Sequence, residues 1–143
     1  MQSKASTSLM AKAIQAVASA RVLLELGDED GACNRAYCAM FDSAQAALLI
    51  SGVPAPDALG KTHRGLVITF SAYLVKDGPV SKELGRQLKS AEEMRLVADY
   101  NGESVMQADA AKLVIQAEVF VSAMQRLFFQ DKAASVHSDT AGQ

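Results

Sequence analysis

The residues whose types suit phosphate chemistry fall in three short stretches: Asn34-Arg35-Ala36-Tyr37-Cys38-Ala39-Met40-Phe41, Lys61-Thr62-His63-Arg64-Gly65-Leu66 and Arg95-Leu96-Val97-Ala98-Asp99-Tyr100. Arg95 offers a permanent cation with a planar fork of donors, the geometry that holds a phosphate or carboxylate by paired hydrogen bonds. Asp99 and Tyr100 follow it and place an acid and a phenol hydroxyl nearby. Lys61, His63 and Arg64 surround Thr62 at the start of an expected helix, where unpaired backbone N–H groups favour anions. Asn34 and Arg35 lie beside an apolar stripe and complete the candidate phosphate or nucleotide contacts. Each of these residues also has a structural reading. A cation in the last turn of a helix gains about 0.3–1 kcal/mol from the macrodipole, which suits Arg95, and Asp99 stands at i,i+4 from it. Tyr37 and Phe41 read as core, Arg35 as a partner for an acid on another helix, and Thr62 as a cap with solvated basic neighbours.

Other chemistries lack their residues. The two histidines are His63 and His137, and Cys33 and Cys38 have neither the spacing nor the partners of a zinc site, so no metal and no cofactor is expected. GxGxxG, GxxxxGK[ST] and GxSxG patterns do not occur. Glu92 and Glu93 sit on consecutive helical positions and are expected to form a solvated face, not an acid/base pair.

Helices must position these stretches. Met10, Ala13, Val17, Ala20 and Leu24 recur at spacings of three and four, predicting a helix from Ser6 to Leu26 that stops at Gly27. Asp28 or Asp30 caps a second, Gly31 to Ile50, with Cys33, Tyr37, Met40 or Phe41, Ala44 and Leu48 on its inner stripe and Gly52 at its end. Val53 to Lys61 holds Pro54, Pro56 and Gly60 and reads as the longest loop. Thr62 opens a third helix with Leu66, Phe70, Tyr73 and Leu74 inward, broken by Asp77, Gly78 and Pro79. Ser81 caps a fourth, whose line runs Leu84, Leu88, Ala91, Arg95 and Ala98 with Met94 beside it, ending at Asn101 and Gly102. The fifth, Val105 to Gln130, carries the most regular stripe: Ala111, Val114, Ala117, Val121, Met124 and Phe128.

The composition agrees with that reading. The 143 residues suffice for one domain, half are apolar, only 6% are aromatic, and 25 are alanine. Alanine is the best helix former while strands select β-branched and aromatic residues, so the expected fold is all-α: an antiparallel up-and-down helical bundle of four to five helices spanning residues 1–130, followed by a small, polar, frayed tail over 131–143. A net charge of −2 excludes a nucleic-acid binder that works by broad phosphate neutralisation, though not a small basic site. No signal-peptide run or membrane-length apolar stretch interrupts the chain, and two cysteines on different helix faces fit a reducing compartment, so a cytoplasmic protein without membrane partners is expected.

The three stretches, in this order, resemble the "NRAYYAMF", "THRGL" and "RxxADY" segments of the small single-domain bacterial and archaeal members of the HEPN superfamily (higher eukaryotes and prokaryotes nucleotide-binding), over Ala20 to Phe128. The resemblance implies a helical bundle that acts as a homodimer, often as one component of a toxin–antitoxin module beside a minimal nucleotidyltransferase protein. Active members are metal-independent endoribonucleases in which an Arg stabilises charge on the scissile phosphate of an RNA substrate and a His following it handles protons. Arg95 matches that arginine, with Asp99 and Tyr100 completing the motif, but the positions open to the His are filled by Tyr100, Asn101 and Gly102. A phenol with an ordinary pKa near 10 is a poor base at neutral pH. The resemblance also implies Tyr100 as the candidate for nucleotidylation by the partner enzyme. The other class it admits is a non-catalytic nucleotide-binding or protein-interaction bundle.

Overall fold

The computed structural model describes residues 4–53, 63–101 and 106–129, with 97–101 described in backbone only. Five α-helices account for nearly all of them: α1 (Lys4–Glu25), α2 (Glu29–Ile50), α3 (His63–Phe70), α4 (Lys82–Asn101) and α5 (Gln107–Phe128). The expected loop beyond Val53, Lys61, the Thr62 cap and the tail from Asp131 lie outside the described residues.

The stops and starts read from the sequence have their physical causes on view. Gly27 and Gly52 adopt φ of +87° and +70°, the left-handed region open to glycine. There the N–H of Asp28 donates to the Leu23 carbonyl at 2.9 Å, and the N–H of Val53 to that of Leu48 at 3.1 Å, closing both helix ends with a Schellman arrangement. Asp28 then caps α2 by accepting from the Gly31 N–H at 2.9 Å, and Ser81 caps α4 by accepting from the Leu84 N–H at 3.2 Å.

The alanine-rich composition serves close packing. α1 buries Ala13, Ala16 and Ala20 where α2 and α5 lie against it, and α2 buries Ala32, Ala36, Ala39, Ala44, Ala46 and Ala47. Small side chains let helix axes approach closely, so α1 and α2 form a tight hairpin along their whole length. α5 lies across both and contributes Leu113, Val114, Phe120 and Met124 to the core, and the Phe120 ring meets Phe70 of α3 at a centroid separation of 5.7 Å. Truncating such a buried aromatic costs about 3–5 kcal/mol. α2 is the common support, touching every other helix, so the pieces holding the candidate residues, α3 and α4, dock beside it.

One expected inward residue is corrected. Tyr73 is 54% exposed while Leu74 is buried. After Phe70 the helix continues as a π-helical turn, Ser71–Val75, in which the Lys76 N–H reaches five residues back to the Ser71 carbonyl at 3.0 Å. The extra residue in that turn shifts the phase, so the inward position after Phe70 falls on Leu74.

Candidate functional site

The site is built where the first turn of α3 meets the third and fourth turns of α4 on the flank of α2. Its centre is Glu92. That residue was expected on a solvated face with Glu93; Glu93 is exposed, but Glu92 is only 6% exposed. The reason is helical phase: Glu92 stands four residues after the fully buried Leu88 and three before Arg95, so it faces inward with them.

Two basic groups converge on the two oxygens of this carboxylate. Arg95 donates from Nη2 to Oε2 at 3.2 Å, and the His63 imidazole brings Nδ1 to 3.8 Å from Oε1. Oε1 is buried and accepts no hydrogen bond from the described residues. The sequence groups His63 with Lys61 and Arg64 at a helix start and puts Arg95 in a separate motif on the next helix; the fold brings His63 and Arg95 to one acid. Arg95 bonds Glu92, three residues toward the N-terminus, and its expected pairing with Asp99 falls outside the described residues. The side chains of Asp99 and Tyr100 lie outside the described residues, as does Lys61.

The His63 ring is held from its other side. It stacks on Phe41 with centroids 4.2 Å apart and planes inclined by 26°, and Phe41 in turn stacks toward Tyr37 at 6.4 Å. Tyr37 and Phe41 are buried, as a core reading requires, and Phe41 also forms the platform for the imidazole. The His63 side chain remains 46% exposed, so a ligand can reach it. Desolvation, followed by the Arg95 charge, lowers its pKa below the usual 6.5, against the opposing pull of Glu92 and Asp42. The shift favours the neutral ring. Burial raises the Asp42 carboxyl above the usual range, a rise moderated by Lys12, Arg35 and His63.

The remaining candidates are arranged more loosely. Arg35 is half-buried, and its charge acts on Asp42, seven residues along the same helix. Asn34 and Arg64 are exposed on α2 and α3. Among the described residues no group of three or more His, Cys, Asp or Glu side chains is placed to hold a metal, and no helix is long and apolar enough to cross a membrane. The arrangement is thus a guanidinium and a half-exposed imidazole on a buried carboxylate, groups of the kind that hold a phosphate and exchange a proton.

Comparison with known proteins gives the family. The chain is 35% identical over 115 residues to a UPF0332 protein of Gloeobacter violaceus, covering 79% of this chain and 87% of that one. It is 32% identical over 125 residues to a UPF0332 protein of Thermotoga maritima, covering 86% and 90%. A candidate toxin of Methanocaldococcus jannaschii is 29% identical over 110 residues, covering 77% and 78%. The profile of the HEPN domain matches residues 6–127, which takes in all three stretches and each helix that builds the site, and the chain belongs to the HEPN family.

Proposed function

We propose that this chain is a toxin-like HEPN protein that cleaves RNA without a metal, as the homodimeric component of a toxin–antitoxin module with a minimal nucleotidyltransferase partner. The observation that carries the reading is the convergence of Arg95 and His63, 32 residues apart in sequence, on the buried Glu92. A structural salt bridge would need only one of them. The similarity to a candidate toxin supports the same direction. One protomer offers a single such arginine, and a second copy would bring another to the same phosphate. Leu96, directly after Arg95, is 45% exposed and supplies apolar surface for that contact.

Tyr100, at the end of α4 beyond Arg95, is the residue we assign to nucleotidylation by the partner, which would cover the site with a bulky anion. The other reading, a non-catalytic bundle that binds a nucleotide or a protein, is favoured by one observation: Tyr100, Asn101 and Gly102 stand where the family's His would be. Induced expression with a growth readout, and incubation of the purified chain with total RNA in EDTA, separate the two. Growth arrest and EDTA-resistant cleavage, both lost in Arg95→Ala, are expected; a chain that neither slows growth nor cuts RNA is the binding bundle.

A further inference from the structure

The motif that follows Arg95 has no histidine, yet a histidine from another helix is already beside it. We propose that His63 is the proton-transferring group of this site and that Glu92 is its positioning carboxylate, so that the catalytic pair is assembled between α3 and α4 instead of along α4. The inference rests on the ribonuclease reading above and names the residue that performs its proton transfer.

Three observations carry it. Glu92 Oε1 is buried, unpartnered among the described residues, and 3.8 Å from His63 Nδ1. A carboxylate facing Nδ1 favours the tautomer with its proton on that nitrogen and leaves the Nε2 lone pair as the base. Phe41 fixes the plane of the ring by stacking at 4.2 Å. The ring is half open to solvent, while its acid is not. A histidine serving only to cap or to solvate the start of α3 would need neither the buried acid nor the aromatic platform.

The chemistry balances without any further reagent. Nε2 of neutral His63 takes the proton of an RNA 2′-hydroxyl as that oxygen forms its bond to phosphorus, and Arg95 meets the negative charge that builds on the phosphoryl oxygens. The bond from phosphorus to O5′ breaks with its electron pair on O5′, which takes a proton from water; the imidazolium returns its own to solvent. The products are a 2′,3′-cyclic phosphate and a 5′-hydroxyl. Glu92 supports the imidazolium during the step by its charge. The charged groups facing the ring are Asp42 from α2 and Glu92 and Arg95 from α4, with Arg35 and Lys12 acting on Asp42.

The test uses the full chain and a mixed-sequence single-stranded RNA labelled at its 5′ end. His63→Gln should lower kcat by about 100-fold or more with KM within about twofold, since removal of a general base costs that much in rate and little in binding. Glu92→Gln should cost less in kcat and move the acidic limb of the pH–rate profile to lower pH, because the ring loses a charge that favours its protonated form. The His63 titration followed by NMR should move the same way in Glu92→Gln, a readout that needs no activity. His63→Asn serves as a second variant should His63→Gln lose its helical signal. A His63→Gln protein that cleaves at the wild-type rate while Arg95→Ala is dead overturns the role of His63 and leaves the ribonuclease reading standing. An unchanged His63 titration in Glu92→Gln overturns the role of Glu92. Wild-type protein that cuts no RNA removes both readings together.

Discussion

Arg21 and Glu118 join α1 to α5 through two hydrogen bonds of 3.0 and 2.6 Å, with both side chains 37% exposed. Arg95 meets Glu92 through a bond of 3.2 Å on a carboxylate that is 7% exposed and has one oxygen left without a donor among the described residues. The residue types are the same and the physical situations are opposite. In the first pair the fork of the guanidinium matches the carboxylate and water screens what is left, so the pair is an architectural clasp of small net worth. In the second, the acid has been taken out of water and only partly repaid, and such a group persists where something else uses it. Completeness of hydrogen bonding, more than the presence of an ion pair, separates scaffold from site in this bundle.

Substitutions at the two pairs should break the symmetry most. Arg95→Ala is expected to reduce RNA cleavage by about 100-fold or more, the scale seen when one charge-stabilising donor is lost, and EDTA should leave the wild-type rate unchanged. The same change strands the Glu92 carboxylate and should lower stability by about 3 kcal/mol in urea unfolding. Replacing both Glu92 and Arg95 by leucine should restore stability to within about 1 kcal/mol of wild type and leave cleavage lost, which would divide the energetic from the chemical role. Arg21→Ala, by contrast, should cost about 0.2–1 kcal/mol, less in high salt, with cleavage intact.

A smaller effect is expected from pH. The folded pKa of His63 is lowered, so the unfolded chain binds its proton first as pH falls below about 6.5, and stability is lost from there down to the folded value. Asp42 acts in the other direction, since its raised carboxyl pKa adds stability on acidification and loses it as pH rises through the folded value. Urea midpoints measured from about pH 8 to about pH 5 should therefore fall less steeply in His63→Gln than in wild type. The smallest effect is a control for burial without function. The Cys33 thiol is pushed up to about 11, by desolvation first and then by Asp30, Asp109 and Glu29. Iodoacetamide at about pH 8 should alkylate the half-buried Cys38 well before Cys33, as read by peptide mass spectrometry.

The helices were legible because each is closed by local chemistry that sequence displays: Gly27 and Gly52 at the ends, Asp28 and Ser81 at the starts, and regular stripes between. The π turn at Ser71–Val75 was not, since nothing in Ser71-Ala72-Tyr73-Leu74-Val75 marks one extra residue in a turn, and Tyr73 was assigned inward for that reason. In the site, Arg95 and His63 stood out by type and by resemblance. Glu92 did not, because its adjacency to Glu93 suggested a pair of solvated acids. The signal existed nonetheless in its spacing from Leu88 and Arg95, which a count along the inward line of α4 would have shown. That Arg95 and His63 share an acid was beyond any local pattern, for it depends on how α3 docks against α4.

The α1–α2 hairpin carries a consequence for the order of events during synthesis. Its two helices are joined through only Leu26, Gly27 and Asp28, and their alanine-lined contact is between neighbours in sequence, so little chain entropy is spent in closing it. On the ribosome this hairpin emerges ahead of α3, α4 and α5 and can zip before they emerge. The acid, the imidazole and the guanidinium come later, and α5, which seals the core over α1 and α2, comes last of the described helices. A nascent chain thus holds a folded hairpin before α3 and α4 have docked beside it. Pulse-labelled hydrogen exchange during refolding should accordingly find amides of α1 and α2 protected ahead of those in α3 and α4.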